Sequence, residues 1–160
     1  SFLGDAQLAI EYYEQALAIS WQIGDRRGES ASLGNLGLIY MAQGEAQRAS
    51  DYFERARGVS REIGDRQGEC NQLGNLGLAY AALGDARRAI EHYEQALVIS
   101  REIGDRRSEG TWLATLGMAQ ARGRDLDAAR RLWREALAIF HAIESPQAAT
   151  VQDLLAQLPK

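Results

Sequence analysis

Residues 33–38 read Leu33-Gly34-Asn35-Leu36-Gly37-Leu38, and 40 positions later the same six residues return as Leu73-Gly74-Asn75-Leu76-Gly77-Leu78. The match extends outward from this segment. Tyr40 is answered by Tyr80; Gly4, Gly44 and Gly84 align; so do Ala9, Ala49, Ala89 and Ala129, then Tyr13, Phe53, Tyr93 and Trp133, then Ala16, Ala56, Ala96 and Ala136. Ile23, Ile63, Ile103 and Ile143 close the unit. Self-similarity at a fixed period of about 20 to 50 residues marks a stacked array, so the chain is a tandem duplication. Inside each unit the apolar residues step by three and four. Leu33, Leu36, Gly37 and Tyr40 form one stripe, and Ala49, Tyr52, Phe53, Ala56 and Val59 form a second, which is the period of two amphipathic helices. Gly24-Asp25, Gly44-Glu45, Gly64-Asp65 and Gly84-Asp85 each set a C-terminal glycine before an acidic N-cap. The spacing predicts helices over 5–23, 26–43, 46–63, 66–83, 86–103, 106–122, 126–143 and 146–157, and no strand pattern competes. Short connections force antiparallel neighbours, and stacking the pairs gives a concave and a convex face.

The arrangement Leu33, Leu36, Gly37, Tyr40, Gly44, Ala49, Phe53, Ala56 resembles the tetratricopeptide repeat signature, and it recurs as Leu73, Leu76, Gly77, Tyr80, Gly84, Ala89, Tyr93, Ala96. The resemblance covers nearly the whole chain. It implies an all-α, right-handed superhelical solenoid of antiparallel helix pairs that serves as a protein-interaction scaffold. Two departures stand out: the period is 40 residues in place of the family's usual length, and Ile63-Gly64-Asp65-Arg66 replaces the proline that ordinarily follows the second helix. In that respect the chain is similar to the long repeats of kinesin light chains, of Pins-type modulators, and of arrays in bacterial regulators and signalling ATPases.

The expected organisation is a single array over 1–160, with a half repeat at 1–24, full repeats at 25–64, 65–104 and 105–144, and a capping helix at 145–160. Phe2-Leu3-Gly4-Asp5 matches Ala82-Leu83-Gly84-Asp85, so the chain is expected to open on the tail of a first helix, with Ser1 fitting a fragment. Gly123 comes one place early. At the other end Ser145 and Pro146 are expected to start a short helix whose Gln147, Gln152 and Asp153 solvate its outer face. The second helix of the half repeat lacks its cover, so this end is expected either to fray or to self-associate in a two-fold dimer through Leu8, Tyr12 and Tyr13, with Leu154 and Leu158 as end contacts at the other terminus.

Composition narrows the chemistry. Eighteen basic against 22 acidic residues give a net charge of −4, and Glu29, Glu69 and Glu109 accompany the Arg26, Arg66 and Arg106 loops, which argues against nucleic acid. Cys70 is the single cysteine and His92 and His141 the only histidines, so neither a disulfide nor a four-ligand metal site is expected, and no cofactor is called for. The charge-free stretches from Ser30 to Gly44 and from Cys70 to Gly84 are too short and too polar to span a membrane. A signal-peptide pattern is missing, and a cytoplasmic location is expected. Lys160 is the only lysine, a bias that points to GC-rich bacterial coding. The polar residues repeat with the helices in place of converging, so no enzyme is expected. Leu33–Gly37 and Leu73–Gly77 lack the lysine and hydroxyl of a phosphate loop and lie inside helices, where small residues let helices approach.

With Leu33, Leu36, Gly37 and Tyr40 facing the second helix, the concave side falls to Arg27, Ala31, Gly34, Asn35, Leu38, Met41 and Ala42. Their counterparts are Gln67, Asn71, Gly74, Asn75, Leu78, Ala81 and Ala82, then Arg107, Thr111, Ala114, Thr115, Met118, Ala121 and Arg122. An amide offers donors and an acceptor to the backbone of an extended peptide, while Leu38, Leu78 and Met118 offer apolar contact. The peptide-binding set is therefore Arg27, Asn35, Leu38, Asn71, Asn75, Leu78, Arg107, Thr115, Met118 and Arg122, with the arginines favouring an acidic ligand. The resemblance implies the same use of Asn35 and Asn75, although these amides can equally bond within the array. The family's lysine clamp for a terminal carboxylate is replaced by Asn71, Asn75, Thr111 and Thr115, which disfavours chaperone C-termini. The alternative function is a self-associating spacer or lid within a larger regulatory protein.

Overall fold

Each turn of the chain is built in one way. Asp25, Asp65, Asp105 and Asp125 accept a hydrogen bond from the N–H three residues on, at Gly28, Gly68, Ser108 and Ala128, and so satisfy an orphan donor of the helix they start. Glu45, expected to act likewise, makes no cap bond; its longer side chain lies 3.7 Å from Arg48 instead. Before each cap the backbone enters the left-handed region, as at Gly44 (φ 79°), and the next N–H reaches back five residues, Glu45 N–H to Tyr40 O at 2.9 Å. Arg124 (φ 66°) and Glu144 (φ 52°) take this conformation in the last two turns, with Asp125 N–H to Gln120 O at 2.9 Å and Ser145 N–H to Phe140 O at 2.8 Å. The backbone therefore does not follow the early glycine. Gly123 has φ −75°, and Arg124 holds the turn in register.

The computed structural model describes residues 2–159, and of Phe2 and Leu3 the backbone alone. The described residues form α1 (Phe2–Ile23), α2 (Arg26–Ala42), α3 (Ala46–Glu62), α4 (Arg66–Ala82), α5 (Ala86–Ile103), α6 (Arg106–Arg122), α7 (Leu126–Ala142) and α8 (Gln147–Gln157), with no strand among them. Seven helices start and stop within one residue of the sequence reading. α1 departs from it: Gly4, aligned by sequence with the turn glycines Gly44 and Gly84, continues the helix. What the sequence reading assigns to Ser1 and to the side chains of Phe2 and Leu3 lies outside the described residues.

The chain forms two compact units, residues 1–92 and 93–160. In the first, α2 packs on both α1 and α3, α3 packs on α4, and α4 also touches α2. The core holds Ile10, Leu17, Leu33, Leu36, Tyr40, Phe53, Val59 and Leu76, with Ala49, Ala56 and Ala79 between them. Phe53 is fully buried, and a Cβ placed on Gly37 would lie 2.4 Å from its ring, so the glycine lets α3 sink into α2. Burying such a side chain contributes about 1.5–3 kcal/mol. Polar contacts also lie inside: Ser30 Oγ and Ser60 Oγ are 2.8 Å apart, and Ser30 donates to Ala56 O at 3.1 Å.

In the second unit α7 packs on α6 and α8. Trp133 repeats the role of Phe53, lying 2.4 Å from a Cβ on Gly117 and donating from Nε1 to Ala114 O at 3.0 Å. The counterparts of Ser30 and Ser60 are Gly110 and Phe140, and a Cβ on Gly110 would lie 2.6 Å from the Phe140 ring. A small–small pair in one repeat is thus a void–ring pair in another. At the end of this unit Ser145 Oγ accepts from Gln147 N–H at 3.3 Å, Val151 and Ala148 are buried, and Leu154 and Leu158 are half-buried.

Candidate functional site

The periodicity of α2 leaves Arg27, Ala31, Leu38 and Ala42 exposed, with Asn35 and Met41 half-buried beside them. α4 repeats the pattern with Gln67, Asn71, Leu78, Ala81 and Ala82 exposed and Asn75 half-buried. Leu38 and Leu78 are 48% and 47% exposed, which marks a solvated apolar row on two neighbouring helices of one unit. The structure so brings together Arg27, Asn35, Leu38, Asn71, Asn75 and Leu78. Arg107, Thr115, Met118 and Arg122 lie on the matching face of α6 in the second unit, where Met118 is 39% exposed.

The amides differ in their commitments. Asn75 Nδ2 donates to Gln72 Oε1 at 3.4 Å, a long bond, and Asn71 Oδ1 accepts from Gln67 at 3.3 Å. Asn35 has no side-chain hydrogen bond among the described residues, so its donors and acceptor face solvent. Thr111 and Thr115 donate to the carbonyls four residues back, Arg107 O and Thr111 O, both at 2.9 Å, which leaves only their lone pairs for a ligand. α6 is accordingly a poorer hydrogen-bonding face than α2 or α4.

Gly34 and Gly74, placed on the concave side by helical position, are buried. The reason at Gly34 is Gln72, whose Nε2 would lie 2.7 Å from a Cβ there. Gln72 is a buried amide wedged between α2 and Asn75, and it is the site residue that sequence reasoning missed. Its signal is indirect: a glycine inside a helix costs about 1 kcal/mol relative to alanine and so calls for a neighbour that needs the space.

Electrostatics around these faces is local. Glu29, Glu69 and Glu109 are buried and paired with Arg26, Arg66 (2.7 Å) and Arg106 (2.6 Å) three residues earlier. Arg61 adds a second partner to Glu69 at 3.5 Å, and Arg101 joins Glu109 at 3.0 Å to Glu135 at 2.6 Å. Arg26 also bonds Glu62. Arg61–Glu69 and Arg101–Glu109 tie the starts of α4 and α6 to the helices before them, Arg26–Glu62 ties the start of α2 to the end of α3, and Arg27, Arg107 and Arg122 remain the exposed cations of the candidate faces. Burial pushes the Tyr93 phenol up to about 12, with Arg122 working against it. Tyr93 stacks on Trp112 at 6.0 Å between centroids. Cys70 is fully buried. His92, which stands 40 residues after Tyr52 and 80 after Tyr12, sits between Tyr80 and Glu54.

Of the residues expected to self-associate, Leu8 and Tyr12 are 65% and 66% exposed, whereas Tyr13 is half-buried and packs on the core of the first unit. No helix among the described residues is long and apolar enough to cross a membrane.

The family model described as tetratricopeptide repeat matches residues 1–62 and 69–142. Among curated proteins no sequence matches significantly. The fold is similar to that of BtubC from P. vanneervenii, at 21% identity and a TM-score of 0.80, over 94% of this chain and 63% of that one. It is also similar to a signal transduction ATPase with numerous domains from Pyrococcus horikoshii that has a tetratricopeptide repeat sensor, at 22% identity and a TM-score of 0.83, over 94% of this chain and 24% of that one. A Rap protein complexed with competence and sporulation factor matches at 15% identity and a TM-score of 0.83, over 93% of this chain and 42% of its own. The chain thus spans less than two thirds of each of these proteins. Its repeated Leu-x-x-Leu-Gly helices, its glycine-seated aromatic rings and the matched residues make it a member of the tetratricopeptide repeat family.

Proposed function

We propose that this chain is a protein-interaction module that holds an extended peptide segment of a partner along the exposed faces of α2 and α4. The observation that carries the reading is the duplicated pair Asn35–Leu38 and Asn75–Leu78, an amide followed one helical turn on by a half-exposed leucine, on two helices that touch. The amide bonds the peptide backbone and the leucine takes its apolar side chains, which is a division of labour that reads shape more than sequence. Arg27 adds attraction for an acidic side chain. The Rap protein complexed with competence and sporulation factor lends support from a similar fold.

The test is selection of peptides from a displayed random library, followed by titration against the protein and its Asn35→Ala/Asn75→Ala variant. Two lost hydrogen bonds of about 1 kcal/mol each predict affinity weakened by about tenfold or more, at an unchanged melting temperature. Arg27→Ala should flatten the salt dependence, because an exposed charge is screened within about 8–10 Å at physiological ionic strength. Selected peptides that bind wild type and the double variant equally would remove the reading.

A further inference from the structure

Gln72 is a buried amide with idle donors. It is only 9% exposed, its Oε1 accepts from Asn75 Nδ2 at 3.4 Å, and its Nε2 has no hydrogen-bond partner among the described residues. A polar group so placed is ordinarily bonded, so the idle nitrogen calls for a ligand. It is not sealed from solvent, and its N–H groups therefore open on the surface. Gly34 shows where. A Cβ on Gly34 would lie 2.7 Å from Nε2, and on α2 the neighbours of Gly34 one turn either way are Ala31 and Leu38, both exposed. The donor thus lies over α2 inside the candidate peptide face.

The bond to Asn75 orients the second amide as well. Asn75 turns Nδ2 toward Gln72 and so turns Oδ1 away from it, and Oδ1 has no partner among the described residues. Together the two side chains offer one donor and one acceptor. The neighbouring repeats lack this pair: Ser32 and Trp112 stand at the place of Gln72, Asn35 makes no side-chain hydrogen bond among the described residues, and Thr115 turns to Thr111 O. In an extended chain the N–H and C=O of one residue lie on the same edge, where a strand neighbour would exchange both bonds with it.

We propose, on the peptide reading of the α2 and α4 faces, that Gln72 and Asn75 form a paired-amide anchor that clasps a single residue of the bound peptide. Gln72 donates through Nε2 to the C=O of that residue, and Asn75 accepts its N–H through Oδ1. Gly34 keeps the space in which Gln72 reaches the peptide. The anchor sets the register of the ligand and excludes proline at the clasped position, because proline has no N–H.

The probe is the tightest peptide selected from the displayed library, remade as a series in which one backbone amide at a time becomes an ester. Each is titrated against wild type, Gln72→Met, Gln72→Glu and Asn75→Ala. An ester has no N–H, and its carbonyl is a weaker acceptor than that of an amide. Two successive esters should stand out. The first removes the N–H of the clasped residue and should weaken binding to wild type by about fivefold to tenfold, with no further loss in Asn75→Ala. The next weakens the C=O of the same residue and should cost severalfold in wild type and nothing further in Gln72→Met, which a double-mutant cycle reads as coupling. Gln72→Glu keeps the length and the oxygen that Asn75 bonds but has no donor, so it should lose the same coupling with the packing kept. Esters that cost as much in Gln72→Met and Gln72→Glu as in wild type at every position would overturn the anchor. So would proline recurring at the clasped residue among the other selected peptides. Either result leaves the peptide reading standing if Asn35→Ala/Asn75→Ala still weakens binding, whereas peptides indifferent to both asparagines, or a library that yields no binder, would remove the two together.

Discussion

His92 lies 3.8 Å through Nε2 from Glu54 and 2.7 Å through Nδ1 from Arg88 O, with its ring 5.1 Å from that of Tyr80. A neutral imidazole has one N–H, and giving it to the Arg88 carbonyl leaves a lone pair facing a carboxylate. Protonation supplies the second donor. The Glu54 bond therefore raises the His92 pKa above its ordinary 6.5, against burial and Arg57, and the same bond lowers Glu54 below 4.5. The stabilisation from His92 is complete below pH 6.5 and is lost as pH rises through the higher folded value, while that from Glu54 is complete above pH 4.5 and is lost as pH falls through the lower one. Wild type should exceed His92→Phe in stability most between these limits. The excess should be at most about 1 kcal/mol, since Glu54 is half-exposed, and should shrink as pH rises through the raised His92 value. Denaturant melts of both proteins across pH check this, and parallel profiles would contradict it. The sequence shows His92 only as a replacement for Tyr12 and Tyr52. Its partner comes from a different helix, and local spacing carries no sign of that.

Between helices, the pair Gly110 and Phe140 is the volume-matched form of Ser30 and Ser60. Gly110→Ser should destabilise by about 1–3 kcal/mol through overpacking against the Phe140 ring. Adding Phe140→Ser should bring a hydroxyl pair in place of the clash and recover part of the loss, so the two substitutions couple in a double-mutant cycle of denaturant midpoints. The turns yield a second expectation. Arg124 occupies a left-handed position at φ 66°, which costs a non-glycine residue roughly 1 kcal/mol, so Arg124→Gly should raise stability by up to that amount. A melting temperature unchanged or lowered would count against it. These elements also show why the fold was legible: caps, turn residues and the three-four stripe are local, and each is repeated up to four times, so errors at one unit are corrected by the next. Gly123 comes one place early in the sequence, yet the left-handed position stays at residue 124. Five-residue closing bonds set the register whichever residue fills it.

Across the molecule, a helix in an array draws its stability from both neighbours it touches, and α1 has one face uncovered. The candidate binding face was legible because it is what remains after the packing stripe is subtracted, whereas Gln72 was hidden because its place is held by Ser32 in one repeat and Trp112 in the next. The exposure of Ile19 was legible only from its place in the half repeat, since residue type does not distinguish it from its buried counterparts Val59 and Ile139. Uncovering predicts dynamics. Native-state hydrogen exchange of the first unit should find α1 amides opening at lower free energy than those of α3, whose Ala49, Phe53 and Ala56 are sealed, by a few kcal/mol if each uncovered apolar group forfeits about 1 kcal/mol. The amides near Ile10 and Leu17, which face the core, should exchange last within α1. Tyr12→Ser should leave this order and the rates nearly unchanged, because that side chain is already in water, whereas Leu17→Ala should speed exchange through the whole helix. Equal protection of α1 and α3 in dilute protein would mean that the exposed stripe contributes no less to α1 than its buried counterpart does to α3.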